Sequence, residues 1–115
     1  MSTRSNVGYV KNNRVKASYC HFDGYESHMI PVLTQYIENY GVKEFCKVID
    51  KARVSGGIRI FEEDGPELYD DGATLGIEGI FDTWDWATQN YAYILDPEKG
   101  LLHTSCSPKP IKLRA

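Results

Sequence analysis

The sequence predicts an α+β domain in which an antiparallel sheet of five or six strands carries two helices on one face, in the order ββααβ(β)ββ. Three observations predict it. The first twenty or so residues alternate apolar and polar at period two, residues 27–54 switch to a helical period, and the second half returns to short strand-like runs broken by turn residues. At 115 residues, 42% apolar and 25% charged, the chain has the size and composition of one independently folding domain spanning residues 1–115.

The elements follow in order. A strand near Ser5–Val10 places Val7 and Tyr9 on one face. Asn12-Asn13 tolerates the positive φ angles of a tight hairpin, and a second strand, Val15–His21, returns with Val15, Ala17 and Tyr19 on one face. After Gly24 the period changes: Met29, Leu33, Tyr36, Ile37 and Tyr40 form the stripe of an amphipathic helix. Ser27 is expected to cap it, Pro31 to fall in its first turn, where a missing N–H costs nothing, and Gly41 to end it. A second helix turns Val42, Phe45, Cys46, Ile49 and Ala52 inward and stops at Gly56-Gly57.

Ile58–Phe61 reads as a short strand, followed by the acidic loop EEDGPELYDDG. Leu75, Ile77, Gly79 and Phe81 then alternate with Gly76, Glu78 and Ile80 as a half-buried strand should. DTWDWATQN is either a loop or one helical turn. Tyr91–Leu95 and Leu101–Ser105 flank DPEKG, a type I turn with a closing glycine. The tail, residues 106–115, carries two prolines and runs along an edge or stays loose. Two helices cover only one sheet face, so Tyr91, Tyr93, Phe81, Trp84 and Trp86 are expected on the other, and a homodimer is the expected way to bury them.

No apolar run approaches the ~20 residues of a membrane span, and the start lacks a hydrophobic signal core, so a cytoplasmic location and no membrane partner are expected. Three cysteines, Cys20, Cys46 and Cys106, show neither disulfide pairing nor a C-x-x-C zinc spacing. Charge is uneven along the chain. Residues 60–98 hold eleven acidic side chains and no Lys or Arg, whereas the remainder holds all thirteen basic residues against five acidic ones. The acidic stretch is either a solvated face or a docking surface for a basic partner, and its partner-binding candidates are Glu62, Glu63, Asp64, Asp82, Trp84, Asp85 and Trp86. Trp84 and Trp86 equally suit a role in closing the core. The basic residues form no run or stripe, so direct nucleic-acid binding has no support.

The densest chemistry lies in SYCHFDGYESH, residues 18–28, where the second strand hands over to the first helix. Unpaired N–H groups at a helix start favour an anion, and Arg4, at the root of the adjacent strand, suits a phosphate. His21 and His28 can donate hydrogen bonds, Asp23 can accept them, and Tyr19, Phe22 and Tyr25 can stack on a ring. Together they suggest a small anionic, nucleotide-like ligand. Asp23-Gly24 as a turn, with Asp23 or Ser27 as helix cap, is the purely structural alternative. A metal held by His21, Asp23 and His28 lacks any recognised ligand spacing, so neither metal nor cofactor is expected. Cys20 and His21 alternate across a strand and cannot form a thiol–imidazole pair. Ser2 as an N-terminal nucleophile would call for a larger two-sheet fold. Catalysis is therefore not the first expectation, and a metal-dependent or thiol hydrolase ranks last.

The opening M-S-T-R-S, the glycine-containing strand and hairpin after it, and Y-C-H-F-D-G-Y at residues 19–25 resemble a group of small proteins of tailed bacteriophages and prophages. A tryptophan often stands in that group where Phe22 stands here, and a helix follows, as here. The resemblance covers about the first forty residues and carries no catalytic residue with it. It implies a phage accessory protein of the host cytoplasm, working without catalysis against a host defence, by sequestering a signalling nucleotide or by blocking a host defence protein.

Overall fold

A computed structural model describes residues 4–20, 24–58, 66, 68–69, 77–86 and 91–114. The chain opens with the hairpin its sequence predicts. Strands β1 (Ser5–Lys11) and β2 (Arg14–Cys20) pair antiparallel in unbroken register from Lys11↔Arg14 to Ser5↔Cys20. Asn12 and Asn13 make the turn with φ of 53° and 62°, angles that asparagine adopts at low cost and most residues do not.

Helix α1 (Glu26–Tyr40) begins two residues earlier than Ser27 capping would allow. Tyr25 is its N-cap and supplies no side-chain cap, Ser27 lies within the first turn, and Pro31 sits in the second. There the proline ring removes a helical N–H that would otherwise bond to the Ser27 carbonyl. Gly41, at φ 93°, ends α1 with its N–H on Ile37 O, and α2 (Val42–Ser55) starts at once. Met29, Leu33, Ile37, Phe45, Ile49 and Ala52 are fully buried against Val7, Cys20, Tyr93, Leu95 and Leu102 of the sheet. Each fully buried large apolar side chain contributes roughly 1.5–3 kcal/mol. Packing of that size holds both helices on the sheet although neither start carries a side-chain cap. Tyr40, expected inside, is instead exposed and rests on the Tyr36 ring 4.8 Å away.

The remaining strands are β3 (Gly57–Ile58), β4 (Leu68–Tyr69), β5 (Ile77–Ile80), β6 (Ala92–Asp96), β7 (Leu101–Thr104) and β8 (Ser107–Lys112). All eight form one sheet ordered β4-β3-β2-β1-β6-β7-β8, with β5 beside the first half of β2. The α+β class holds, but the sheet is mixed rather than antiparallel and has more strands than expected: β1–β6 and β2–β3 are parallel pairs. Alternation in sequence assigns faces to a strand and says nothing of its direction. The connection from β5 to β6 is long enough to cross the sheet, and a crossover returns the next strand in the same direction. The tail is an edge strand rather than a loose end. Pro108 and Pro110 lie in β8 and deprive that edge of two N–H donors.

That crossover settles what covers the second face. Phe81–Thr83 form one 3₁₀ turn, and Phe81 N donates to Asn13 O at 2.8 Å beside the hairpin. From there Phe81, Trp84 and Trp86 pack, with Ile77 of β5, on Val10, Val15, Ala17 and Ile94. Tyr93 is not on this face. It is fully buried on the helical side, and half-buried Tyr91 packs there too. Two polar clips tie the layers together: the Tyr9 hydroxyl donates to Asp50 Oδ1 of α2 at 2.8 Å, and Arg53 of α2 donates to Glu78 of β5. The Arg53 guanidinium holds the Glu78 carboxyl below the usual carboxylate range.

Candidate functional site

The end of the sheet where β2 hands over to α1 is built from three separate parts of the chain. Gly24 is buried, and its carbonyl accepts a 2.7 Å hydrogen bond from the hydroxyl of Tyr93, sixty-nine residues away. Burial pushes the Tyr93 hydroxyl well above its ordinary pKa, so it stays a donor. The Tyr91 ring stacks on that of Tyr93, 6.5 Å apart and 7° from parallel. One turn into α1, His28 and Met29 donate their backbone N–H groups to Tyr25 O, and the Tyr25 ring lies 5.9 Å from the His28 imidazole. The His28 Nε2 atom is buried with no hydrogen-bond partner among the described residues. Cys106, in the β7–β8 turn, lies against Glu26, Ser105 and the Tyr93 hydroxyl, and Ser105 Oγ accepts from Ala92 N at 3.0 Å.

Of the ligand-binding residues expected from sequence, Tyr25 and His28 are therefore brought together. Arg4 is exposed just before β1. Tyr19 is half-buried on the opposite face of the sheet, in step with Val15 and Ala17. His21, Phe22 and Asp23 lie outside the described residues, as do Glu62, Glu63 and Asp64 of the acidic set.

The rest of the acidic set divides. Asp82 and Asp85 are exposed, and Asp82 accepts from Asn13 Nδ2 at 3.2 Å. Trp84 and Trp86 are half-buried with ring centroids 6.3 Å apart, and both pack on the chain's own sheet. That packing shows them closing the core on this face and leaves part of each indole accessible. Gly79 makes room for this: a Cβ there would lie 2.8 Å from the Trp84 ring.

Trp86 also joins the two regions. With Phe81 and His103 it walls a cleft of about 440 Å³ whose other side is the turn carrying Ser105, Cys106 and Ser107. Phe81 meets Trp86 edge-on at 6.2 Å and His103 at 4.9 Å. Burial pushes the His103 imidazole below its ordinary pKa and favours the neutral ring. The cleft thus offers three aromatic rings, hydroxyls and a thiol, and through Cys106 its wall touches the first turn of α1. Sequence reasoning missed His103 and Ser105–Ser107. The available signal was His103 itself, a polar ring placed by alternation on an apolar face opposite Ile94.

The thiols are poorly suited to nucleophilic work. Cys20 is fully buried, and burial pushes Cys46 up to about 11 and raises Cys106. Among the described residues no three His, Cys, Asp or Glu side chains gather as a metal site, and no helix is long and apolar enough to cross a membrane. No protein-family model, curated protein or solved structure matches the chain.

Proposed function

We propose that this protein is a non-enzymatic binder of a small nucleotide-like ligand, acting in the host bacterial cytoplasm as a phage-type counter-defence protein. The carrying observation is the cleft formed by Phe81, Trp86, His103 and the 105–107 turn. Its volume of about 440 Å³ is of the size that holds small ligands. Aromatic walls accept a flat heterocycle by stacking, and hydroxyls on the facing turn can satisfy its ring nitrogens and exocyclic groups. The anionic end of such a ligand would extend past Cys106 toward the start of α1, whose first N–H groups favour an anion, with the Glu26 carboxylate as the group it must avoid. The phage setting comes from the resemblance over about the first forty residues. The acidic-docking alternative keeps Asp82 and Asp85, both exposed, and the accessible parts of the half-buried Trp84 and Trp86 as its described contacts.

The test is tryptophan fluorescence during titration with AMP and GMP. Saturable quenching that disappears in Trp86→Ala and weakens in His103→Ala supports binding in the cleft. Absence of any saturable change up to millimolar nucleotide overturns it.

A further inference from the structure

The geometry points to a second binding site, for a phosphate monoester, in a cationic pocket on the helical side of the sheet, the face opposite Phe81 and Trp86 of the aromatic cleft. A cavity of about 370 Å³ opens between the last residues of β1, the first turns of α2 and the β6–β7 turn. Lys11, Lys43 and Lys47 line it, around an apolar floor that includes Val42, Cys46 and Pro97. None of the three lysines forms an ion pair among the described residues, where the paired cations are Arg14 and Arg53. The chain carries a net charge of −3, so three ammonium groups gathered unpaired on one concavity are charge that the fold itself does not use.

One carboxylate of the lining, Asp50, is tied to the sheet. Asp50 Oδ1 takes the hydroxyl of Tyr9, a side chain only 6% exposed, which fixes Asp50 at the pocket wall. With Glu98 on the turn, two carboxylates face three ammoniums. Such a lining favours a ligand of mixed character: an anionic head for the lysines, and a hydroxyl or amine that Asp50 can accept from. Lysine binds phosphate as a mobile point charge, and a head with three oxygens can meet several lysines at once. The cavity is larger than a phosphate group alone, which leaves room for a small ester body on Val42 and Pro97. The Cys46 thiol, pushed up to about 11 by burial, stays neutral in that floor. The uncapped start of α2 at Gly41 adds N–H groups of the same sign beside Lys43. This site does not depend on the aromatic cleft, and glycerol 3-phosphate, which has no ring to stack, separates the two.

The experiment is an amide NMR titration of the full chain with glycerol 3-phosphate, using sulfate as the control anion. Saturable shifts are expected at residues 9–11, 42–50 and 97–98, unchanged in Trp86→Ala. Loss of one charge-assisted contact should weaken binding ~10-fold or more in Lys43→Gln, in Lys47→Gln and, from the strand rather than the helix, in Lys11→Gln. All three lysines are exposed, so their replacement should leave the melting temperature unchanged. No saturable shift with glycerol 3-phosphate, equal shifts with sulfate, or full binding by the three variants would each overturn the assignment.

Discussion

Tyr93→Phe tests the hydroxyl that holds the strand–helix corner in place; Cys106→Ala, which leaves the bond to Gly24 intact, separates the lesser contact with Cys106. The substitution keeps the ring, its full burial and its stacking on Tyr91, and removes only the hydroxyl that donates to Gly24 O at 2.7 Å. A buried hydrogen bond contributes ~1 kcal/mol net, and a buried carbonyl left without its donor costs ~1–3 kcal/mol, so a loss of ~2 kcal/mol is expected. For a domain of this size that lowers the melting midpoint by roughly 6–10 °C. Urea denaturation should show the same loss as a fall in midpoint at constant slope. The damage should also be local. The His28 and Met29 amides, which close the first turn of α1 on Tyr25 O, should exchange hydrogen faster, while those of β1 and β7 keep pace with the global change. Tyr91→Phe, altering a half-buried ring whose stacking is retained, is the control and should stay within ~0.5 kcal/mol. A Tyr93→Phe protein as stable as that control, with unchanged exchange at His28 and Met29, would refute the claim that this bond positions the corner.

Two further outcomes are expected. Gly79→Ala puts a Cβ within 2.8 Å of the Trp84 ring, so the indole must swing off the second face; tryptophan emission should shift to the red and the melting midpoint should fall, and an unchanged spectrum would contradict the packing. His103 has a folded pKa below its ordinary 6.5, so the stability linked to it is present above pH 6.5 and is lost as pH falls through 6.5 toward the folded value. Denaturation midpoints measured across that range should drop in the wild type and drop less in His103→Gln; parallel curves would remove His103 from the account.

Local signals were legible in the sequence, and long-range ones were not. The Asn12-Asn13 hairpin, the two helices with their buried stripes and the turn that joins β6 to β7 were all readable, because each rests on residues within about ten positions of one another. Parallel pairing of β1 with β6 was not readable, since it depends on where a distant connection crosses, and an aromatic run looks the same in a loop as in a crossover. Site residues divide in the same way. Tyr25 and His28 were found because they lie in one short polar stretch of the chain, whereas Tyr93 and Cys106 join them only through the sheet. The same missed crossover bears on assembly. A homodimer was expected because two helices leave the second sheet face bare, with Tyr91 and Tyr93 on it. Tyr93 is buried under the helices, and Phe81, Trp84 and Trp86 cover Val10, Val15, Ala17 and Ile94 from within the same chain. The β8 edge, with prolines at 108 and 110, is poorly equipped to continue a ladder into a second copy. The two usual reasons for pairing, a bare apolar face and an open edge, are thus both weakened at these surfaces. Light scattering at micromolar concentration should accordingly give the monomer mass, and Gly79→Ala, which lifts Trp84 away, should move the average upward if the indoles are what keeps copies apart. A wild-type protein at twice the monomer mass would show that another surface carries the pairing.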